Sequence, residues 1–233
     1  MKSEVKNRAI NLFVTKDGSH SLQVPNMNET YHSSHGAIQE SNHVFIKNGL
    51  EHWINKYKEE SVHIFEVGFG TGLNALLTLQ KAEQFNTKID YTSIELYPLN
   101  SDLTNQLNYA KQIGIEQALF EKLHGCTWEE STAITTHFNL QKIKASFQEV
   151  LIKSDFDIIY YDAFAPSKQP EMWKYELIEK CFTVLKPNGI FVTYSASGQL
   201  KRDLKQAGFK VESLEGPPGK FEMVRAIKKT KDY

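Results

Sequence analysis

The sequence predicts an α/β fold with a mostly parallel central sheet, because short β-rich runs alternate with helical stretches. The β-rich runs are residues 62–67, 89–96, 156–164 and 189–195, and the helical stretches are residues 73–85, 99–113, 171–185 and 200–207. Residues 156–161 are apolar almost throughout, which is typical of a central strand buried on both faces. Lys186-Pro187-Asn188-Gly189 then indicates the end of the third helix.

Two hairpins are predicted outside this alternating pattern. Residues 12–15 and 21–24 flank Asp17-Gly18, which tolerates a tight turn, and helical spacing follows from 37 to 57. Near the other end, residues 210–214 and 221–227 predict an antiparallel hairpin at the sheet edge. We therefore expect a hairpin and helix appendage over residues 1–58 and a larger domain over residues 59–233, packed as one unit. The strands within 116–154 are left unassigned.

The composition is that of an ordinary globular protein, with 40% hydrophobic and 24% charged residues in 233. No apolar run approaches the ~20 residues of a membrane span, and the amino terminus lacks a signal-peptide core. We expect a cytoplasmic protein without a membrane partner. The formal net charge of −1 gives no global attraction for a polyanion, so a nucleic-acid partner requires a local basic surface.

A glycine-rich turn follows the first predicted strand of the large domain, in the segment Glu66-Val67-Gly68-Phe69-Gly70-Thr71-Gly72. Glycines let a ligand approach the main chain, and the amino terminus of the following helix attracts a carboxylate. Dinucleotide enzymes usually show Gly-x-Gly-x-x-Gly, whereas this run is Gly-x-Gly-x-Gly after a glutamate, which favours S-adenosylmethionine as cofactor. We therefore predict that Glu66, Gly68, Gly70 and Gly72 bind the cofactor. The alternative is a tight strand-to-helix connection that binds no ligand.

Three further residues are candidates for cofactor binding. Glu95 ends the second strand, where a carboxylate accepts both ribose hydroxyls. Asn74, just inside the helix, is placed to reach the methionyl group, and Glu149 is a candidate for the adenine edge. Each has a plainer interpretation as a solvated polar side chain.

The fourth strand ends in Asp162-Ala163-Phe164-Ala165-Pro166, beside the expected position of the transferred methyl group. A carboxylate at this point indicates an amine substrate, which Asp162 orients and deprotonates directly or through water. The alternative is a carboxylate that caps a helix or orders the loop. A nearby carboxylate favours the charged amine and desolvation favours the neutral one, and the sequence leaves this balance open. Phe164 and Trp173 are candidates for a base-stacking pocket wall, with core packing as the alternative.

Taken with the motifs above, the chain resembles the methyltransferase module of the bacterial enzymes that complete 5-methylaminomethyl-2-thiouridine at the tRNA wobble position. The motifs run through the whole chain: Asp17-Gly18, 31–45, 65–74, 95–99, 162–166, 170–173, 194–198, 200–202, 207–209 and 219–223. The block from Asp162 to Trp173 is the most specific of them. Ala163 departs from the glycine that the family commonly has there.

The resemblance implies a Rossmann-like methyltransferase fold and N-methylation of the aminomethyl group of 5-aminomethyl-2-thiouridine, with tRNA as partner. It implies that Gly68, Gly70, Asn74 and Glu95 bind S-adenosylmethionine and that Asp162 is catalytic. Longer family members also carry a flavin oxidase domain, so we expect the stand-alone form. The alternatives are an aminopropyltransferase or a small-molecule amine N-methyltransferase.

Substrate contacts are predicted from a concentration of basic residues near the carboxyl terminus and from Glu40 in the matching segment. The basic residues are Lys201, Arg202, Lys205, Lys220, Arg225, Lys228, Lys229 and Lys231. Of these, Lys201, Arg202 and Lys220 are the candidates for tRNA phosphates, against a solvated surface as the alternative. No metal is predicted, since neither the two cysteines nor His32 and His35 belong to a ligand cluster.

Overall fold

The computed structural model describes residues 10–152 and 155–229, and Lys231 lies outside them. Eight strands form one sheet in the order β10-β11-β9-β8-β4-β5-β7-β6. These strands are β4 Ser61–Val67, β5 Lys88–Ile94, β6 Ser131–Ala133, β7 Phe138–Ile143, β8 Phe156–Tyr161, β9 Leu185–Thr193, β10 Phe209–Glu215 and β11 Glu222–Lys228. The central pairs from β9 to β7 are parallel, whereas β10, β11 and β6 pair antiparallel at the edges. The predicted mostly parallel sheet with an antiparallel edge hairpin is confirmed.

Helices cover both faces of this sheet. They are α1 Ala37–Ser41, α2 His52–Tyr57, α3 Leu73–Phe85, α4 Ser101–Thr104, α5 Tyr109–Ile113, α6 Gln117–Gly125, α7 Tyr175–Val184 and α8 Gly198–Ala207. A π-helical stretch, Asn42–Glu51, joins α1 to α2. Within the described residues, no helix has the length and apolar character needed to cross a membrane.

Strand β8 separates the two halves of the core. Its side chains alternate, so that Ile158 and Tyr160 pack with α3 and the helices at the amino end of the chain. Ile159 and Tyr161 pack with α7 and α8 on the opposite face. All six residues of β8 are buried, as predicted for a central strand.

The amino-terminal hairpin consists of β1 Asn11–Val14 and β2 His20–Val24, and a third strand, β3 Glu29–Thr30, pairs with β2. The Asp17 carboxylate then accepts from the backbone N–H of Gln39 at 3.0 Å, so the turn of this hairpin is bound to α1. After β3, Tyr31 lies against Gly70 and His32 against Thr71 of the glycine-rich turn.

The predicted helix over 99–113 and the predicted start of the helix over 171–185 were wrong. The predicted end of the latter is confirmed to within one residue, since α7 runs over Tyr175–Val184, and Pro170–Trp173 form a separate 3₁₀ helix before it. The predicted helix over 99–113 is broken into α4 and α5, because the Asn108 side chain binds the hairpin instead: it accepts from His20 N at 2.8 Å and donates to Gly18 O at 3.0 Å. The segment Lys186-Pro187-Asn188-Gly189 lies inside β9, where the register shifts between Phe156 and Ile158 of the neighbouring strand. The helix α7 has already ended at Val184.

Candidate active site

A cleft opens at the carboxyl ends of β4, β5 and β8, where an open parallel sheet presents its loops. It encloses about 1100 Å³ of empty space, including its mouth. Six of the residues singled out from the sequence line it: Gly68, Gly70, Asn74, Glu95, Asp162 and Phe164. The fold therefore brings together motifs that are up to 96 positions apart in the chain.

The glycine turn is shaped by positive φ at each of its three glycines, +98° at Gly68, +50° at Gly70 and +72° at Gly72. A Cβ on Gly68 would lie 2.9 Å from the backbone oxygen of Asp162, and one on Gly70 would lie 3.1 Å from the ring of Tyr31. The amides of these glycines are used within the protein, since Gly68 donates to Ile94 O at 3.0 Å and Gly72 to Phe69 O at 2.8 Å. The glycines therefore let the turn pack closely against Asp162 O and the Tyr31 ring, and their amides are engaged within the protein.

Glu95 lies beside the same turn and is half-buried. Its Oε2 accepts from Gly70 N at 3.1 Å and its Oε1 from Tyr97 N at 2.8 Å. Each carboxylate oxygen has a second lone pair, so the oriented carboxylate can also accept from a ligand hydroxyl. This is the arrangement that a ribose diol requires.

Asn74 links the cleft to the buried interior. Its Nδ2 donates to Asp162 Oδ2 at 2.8 Å and to Glu66 Oε1 at 3.1 Å. Glu66 is fully buried, and its Oε2 accepts from Ser93 Oγ at 2.6 Å. The prediction of Glu66 as a direct cofactor ligand therefore does not match its place beneath the cleft, which it reaches only through Asn74.

Both acids bound by Asn74 have raised pKa values. Burial raises the pKa of Asp162 to about 7, and the Glu40 carboxylate adds to this while Asn74 and Lys220 oppose it. Burial likewise raises the pKa of Glu66 to about 8, against its hydrogen bonds from Ser93 and Asn74. Near neutral pH, Asp162 is therefore poised to take up a proton.

Glu40 and Lys220 form an ion pair close to Asp162. Lys220 Nζ lies 2.6 Å from Glu40 Oε1 and 3.7 Å from the centre of the Tyr194 ring. Tyr194 in turn donates from its hydroxyl to Ala163 O at 2.9 Å, directly after Asp162. Glu40 and Lys220, both predicted to contact substrate, are thus brought together, although neither lines the cleft.

Aromatic side chains form the mouth of the cleft. Tyr31 and Phe164 meet edge to face, with their ring centres 5.1 Å apart. Trp173 is buried and donates from its indole N–H to Phe164 O at 2.7 Å, so it supports the wall that Phe164 forms. Trp173 is therefore packed in the core, which was the alternative to a direct role in the pocket wall.

The remaining candidates lie away from the cleft. Glu149 is exposed and does not line it, whereas the preceding residues Ser146, Phe147 and Gln148 do. Lys201 pairs with Glu222 at 2.5 Å, and Arg202 donates to Gln199 Oε1 at 2.8 Å. The cleft is therefore lined by 146–148 and not by Glu149, and Arg202 is exposed on α8.

Several lining residues were missed in the sequence analysis: Met27, Tyr97, Gln148, Glu171 and Met172. Tyr97 and Glu171 belong to the motifs 95–99 and 170–173. Their positions near Glu95 and Trp173 in the sequence could therefore have indicated that they line the cleft. Gln148 follows β7, a strand that was left unassigned, and therefore gave no signal.

His32 also lines the cleft, and its surroundings are those of a neutral ring. Its nitrogens lie 3.3 Å from Ser21 Oγ and 3.4 Å from Thr71 Oγ1, and burial lowers its pKa to about 4. Across residues 10–152 and 155–229, no group of three or more His, Cys, Asp or Glu side chains is arranged to hold a metal ion.

The cleft fits S-adenosylmethionine in three respects. Gly68 and Gly70 line the cleft without side chains, and Glu95 is oriented for the ribose hydroxyls. Asn74 Oδ1 is buried and has no hydrogen-bond partner within the described protein, so a donor such as the methionyl ammonium satisfies it.

Comparisons with known proteins agree with this fit. Residues 114–229, about half of the chain, match a family described as S-adenosyl-L-methionine-dependent methyltransferase. The chain is 32% identical over 221 residues to the tRNA 5-methylaminomethyl-2-thiouridine biosynthesis bifunctional protein MnmC of Pseudoalteromonas atlantica. That match covers 87% of this chain and 31% of the relative. The MnmC protein of Leptospira interrogans is 29% identical over 206 residues, with 84% and 32% covered. The chain thus spans about a third of the length of these relatives.

Solved structures show the same fold. The crystal structure of MNMC2 from Aquifex aeolicus superposes with a TM-score of 0.78 at 24% identity, covering 97% of this chain and 72% of that one. Spermidine synthase from Thermotoga maritima superposes less well, with a TM-score of 0.57 at 11% identity, covering 100% of this chain and 83% of that one. With its glycine turn, its oriented Glu95 and its family match, the chain belongs to the S-adenosyl-L-methionine-dependent methyltransferases.

Proposed function

We propose that this methyltransferase N-methylates the aminomethyl group of 5-aminomethyl-2-thiouridine at the wobble position of tRNA. The observation that carries the proposal is Asp162, a carboxyl group of raised pKa that Asn74 holds at the carboxyl end of β8, inside the cleft. The similarity to two MnmC proteins over more than four-fifths of the chain supports the tRNA substrate.

When bound, S-adenosylmethionine supplies an electrophilic methyl group, which an amine nitrogen takes as the carbon–sulfur bond breaks. The work of the protein is to align that nitrogen and to remove its proton. An alkylamine similar to lysine has a pKa of about 10.4 and arrives protonated, so it needs a base beside it.

Asp162 meets this need because its pKa lies between that of an ordinary aspartate and that of the amine. Its carboxylate attracts the ammonium into the cleft, and its raised pKa of about 7 makes it a better proton acceptor than an ordinary aspartate of pKa 3.8. A base of this kind serves both to orient the amine and to deprotonate it. Desolvation strengthens the base, and a substantial fraction of Asp162 stays charged near neutral pH.

The mouth of the cleft suits a base that is turned out of a nucleic-acid loop. Tyr31 and Phe164 present ring surfaces beside Asp162, and unstacked bases bind to aromatic side chains of this kind. Positive charge for the phosphates is available on the exposed face of α8, from Arg202 and Lys205.

The test is mass analysis of tRNA nucleosides after incubation with the protein and methyl-labelled S-adenosylmethionine. The substrate is tRNA that carries the aminomethyl precursor, and tRNA without it is the matched control. We expect the label in 5-methylaminomethyl-2-thiouridine only. A second arm offers decarboxylated S-adenosylmethionine and putrescine. An aminopropyl product there, with no label in tRNA, would replace this proposal with aminopropyl transfer.

A further inference from the structure

The amide group of Asn74 is shared between two acids. Both hydrogens of its Nδ2 are used, one on Asp162 and one on Glu66. Turning the amide by 180° would point its oxygen at both carboxyl groups and its N–H groups at the place where Oδ1 now stands. The two acids therefore determine which end of the amide faces the cleft.

We propose that Glu66 is a positioning residue for the methyl transfer, holding the Asn74 amide so that Nδ2 supports Asp162 while Oδ1 faces the cofactor. The inference deepens the proposed function and rests on it for the role of Asp162 in the reaction. Glu66 makes no contact with the cleft, because it is fully buried with Ser93 on its second oxygen. Its influence reaches the reacting atoms through Asn74.

Asp162 alone cannot keep the amide in place, since it takes up a proton in each turnover. A protonated carboxyl group can donate its O–H to an amide oxygen, so the reversed amide becomes acceptable on that side. Glu66 retains an acceptor in either of its own protonation states. When ionised it accepts on both oxygens, and when protonated it can donate to Ser93 Oγ while Oε1 still accepts from Asn74.

The second consequence concerns the cofactor. Asn74 Oδ1 is a buried acceptor without a partner in the described protein, on a side chain that lines the cleft and whose Nδ2 is held by the two acids. Glu66 therefore links cofactor binding to the orientation of Asp162 through one side chain. The other charged groups that act on Asp162 are Glu40, from α1, and Lys220, from the loop between β10 and β11, and both remain in every variant below.

The test measures the titration of Asp162 itself, by NMR of the protein with carbon-13-labelled aspartate carboxyls. The signal is identified by its loss in Asp162→Asn. Glu66→Leu removes the acceptor for Asn74, and Glu66→Asp withdraws it by one methylene. In both variants the Asn74 amide is held less firmly, so its hydrogen bond to Asp162 is weaker. The N–H of Asn74 stabilises the charged carboxylate, so we expect the Asp162 titration to move up by about half to one pH unit. Loss of the Glu66 carboxyl acts in the opposite direction, because the two acids repel each other when both are charged. The shift in Glu66→Leu is therefore read against Glu66→Gln, which loses the same charge.

Two variants serve as matched controls. Glu66→Gln keeps an oxygen that accepts from Asn74, and Ser93→Ala removes the other hydrogen bond to Glu66. Both should titrate within a few tenths of a unit of the wild type. The acid limb of the kcat profile should follow the NMR titrations. S-adenosylhomocysteine should bind about tenfold more weakly to Glu66→Leu than to Glu66→Gln, because the orientation of Oδ1 is lost.

An unmoved Asp162 titration in Glu66→Leu and Glu66→Asp overturns the inference, and so does a shift in Glu66→Gln as large as that in Glu66→Leu. If Glu66→Leu does not fold, Glu66→Asp provides the same readout with a smaller change in the core. The NMR and binding measurements need no tRNA. A wild-type protein that leaves the tRNA unmethylated therefore refutes the proposed function, while the titrations still decide the role of Glu66.

Discussion

Replacing Asp162 with asparagine removes the charge of this residue and keeps its shape. The amide oxygen that Asp162→Asn introduces can accept from Asn74 Nδ2, as Asp162 Oδ2 does at 2.8 Å, so the side chain stays in place. What is lost is the proton acceptor. We expect turnover to fall by about 10²–10⁴-fold, with a much smaller change in affinity for S-adenosylhomocysteine.

The pKa values show where this effect comes from. Moving a proton from an amine of pKa about 10.4 to a carboxylate of pKa about 7 is unfavourable by roughly 10³-fold, whereas for an ordinary carboxylate the factor is roughly 10⁶ or more. Without Asp162, only amine that arrives neutral reacts, and at pH 7.4 this is about one molecule in 10³. The two penalties are similar in size, so the expected loss of about 10²–10⁴-fold reflects the loss of an acceptor that is positioned beside the amine and attracts it into the cleft.

The same arithmetic predicts different pH dependences for the two proteins. In the wild type, kcat/KM rises as pH passes the pKa of Asp162, which is about 7, and is then level, because deprotonation of the free Asp162 activates it. In Asp162→Asn it rises with the neutral amine, by about 100-fold between pH 7.4 and 9.4. Single-turnover methylation of precursor tRNA across this range measures both. A ratio of the two rates that stays constant with pH, or near-normal turnover in the variant, would show that Asp162 does not take the proton.

Three other changes address the cofactor, the turn and the tRNA surface. Glu95→Ala should weaken S-adenosylhomocysteine binding by about 1.5–3 kcal/mol for each lost charge-assisted hydrogen bond, measured by calorimetry, and equal affinity would place the ribose elsewhere. Gly68→Ala should lower both Tm and turnover, because its φ is +98° and its Cβ would lie 2.9 Å from Asp162 O; an unchanged melting curve would contradict the strained geometry. Arg202→Glu together with Lys205→Glu should raise the KM for tRNA and reduce its salt slope by about 1–2, while an unaltered slope would make these residues ordinary solvated charges.

The parts of the site that the sequence predicted are those carried by local patterns. The glycine run, the acid at the end of β5 and the aspartate at the end of the apolar strand β8 are each recognisable within a few residues. The parallel sheet then brings the carboxyl ends of these strands to one edge. Gly68, Glu95 and Asp162 were therefore predicted to share one cleft, and all three line it.

The parts that were not predicted depend on contacts between distant segments. Asn108 breaks a helix because it binds the hairpin turn at Gly18, which no local propensity records. Glu66 directly precedes the glycine turn in sequence, but its side chain lies below the cleft, where it accepts a hydrogen bond from Asn74. The sequence pattern does not indicate this position. Lys220 was predicted as a phosphate contact, whereas 180 positions separate it from the carboxylate that it binds, Glu40. The phosphate role of Lys220 therefore remains a prediction, in competition with this ion pair.

The ion pair between Lys220 and Glu40 also shows that the final hairpin contributes charge to the site rather than surface. The cleft is lined by residues between Met27 and Met172, whereas a cation that opposes the rise in the pKa of Asp162 comes from Lys220, between β10 and β11. A substitution at Lys220 can therefore alter the pH dependence of proton acceptance while every residue that lines the cleft is unchanged.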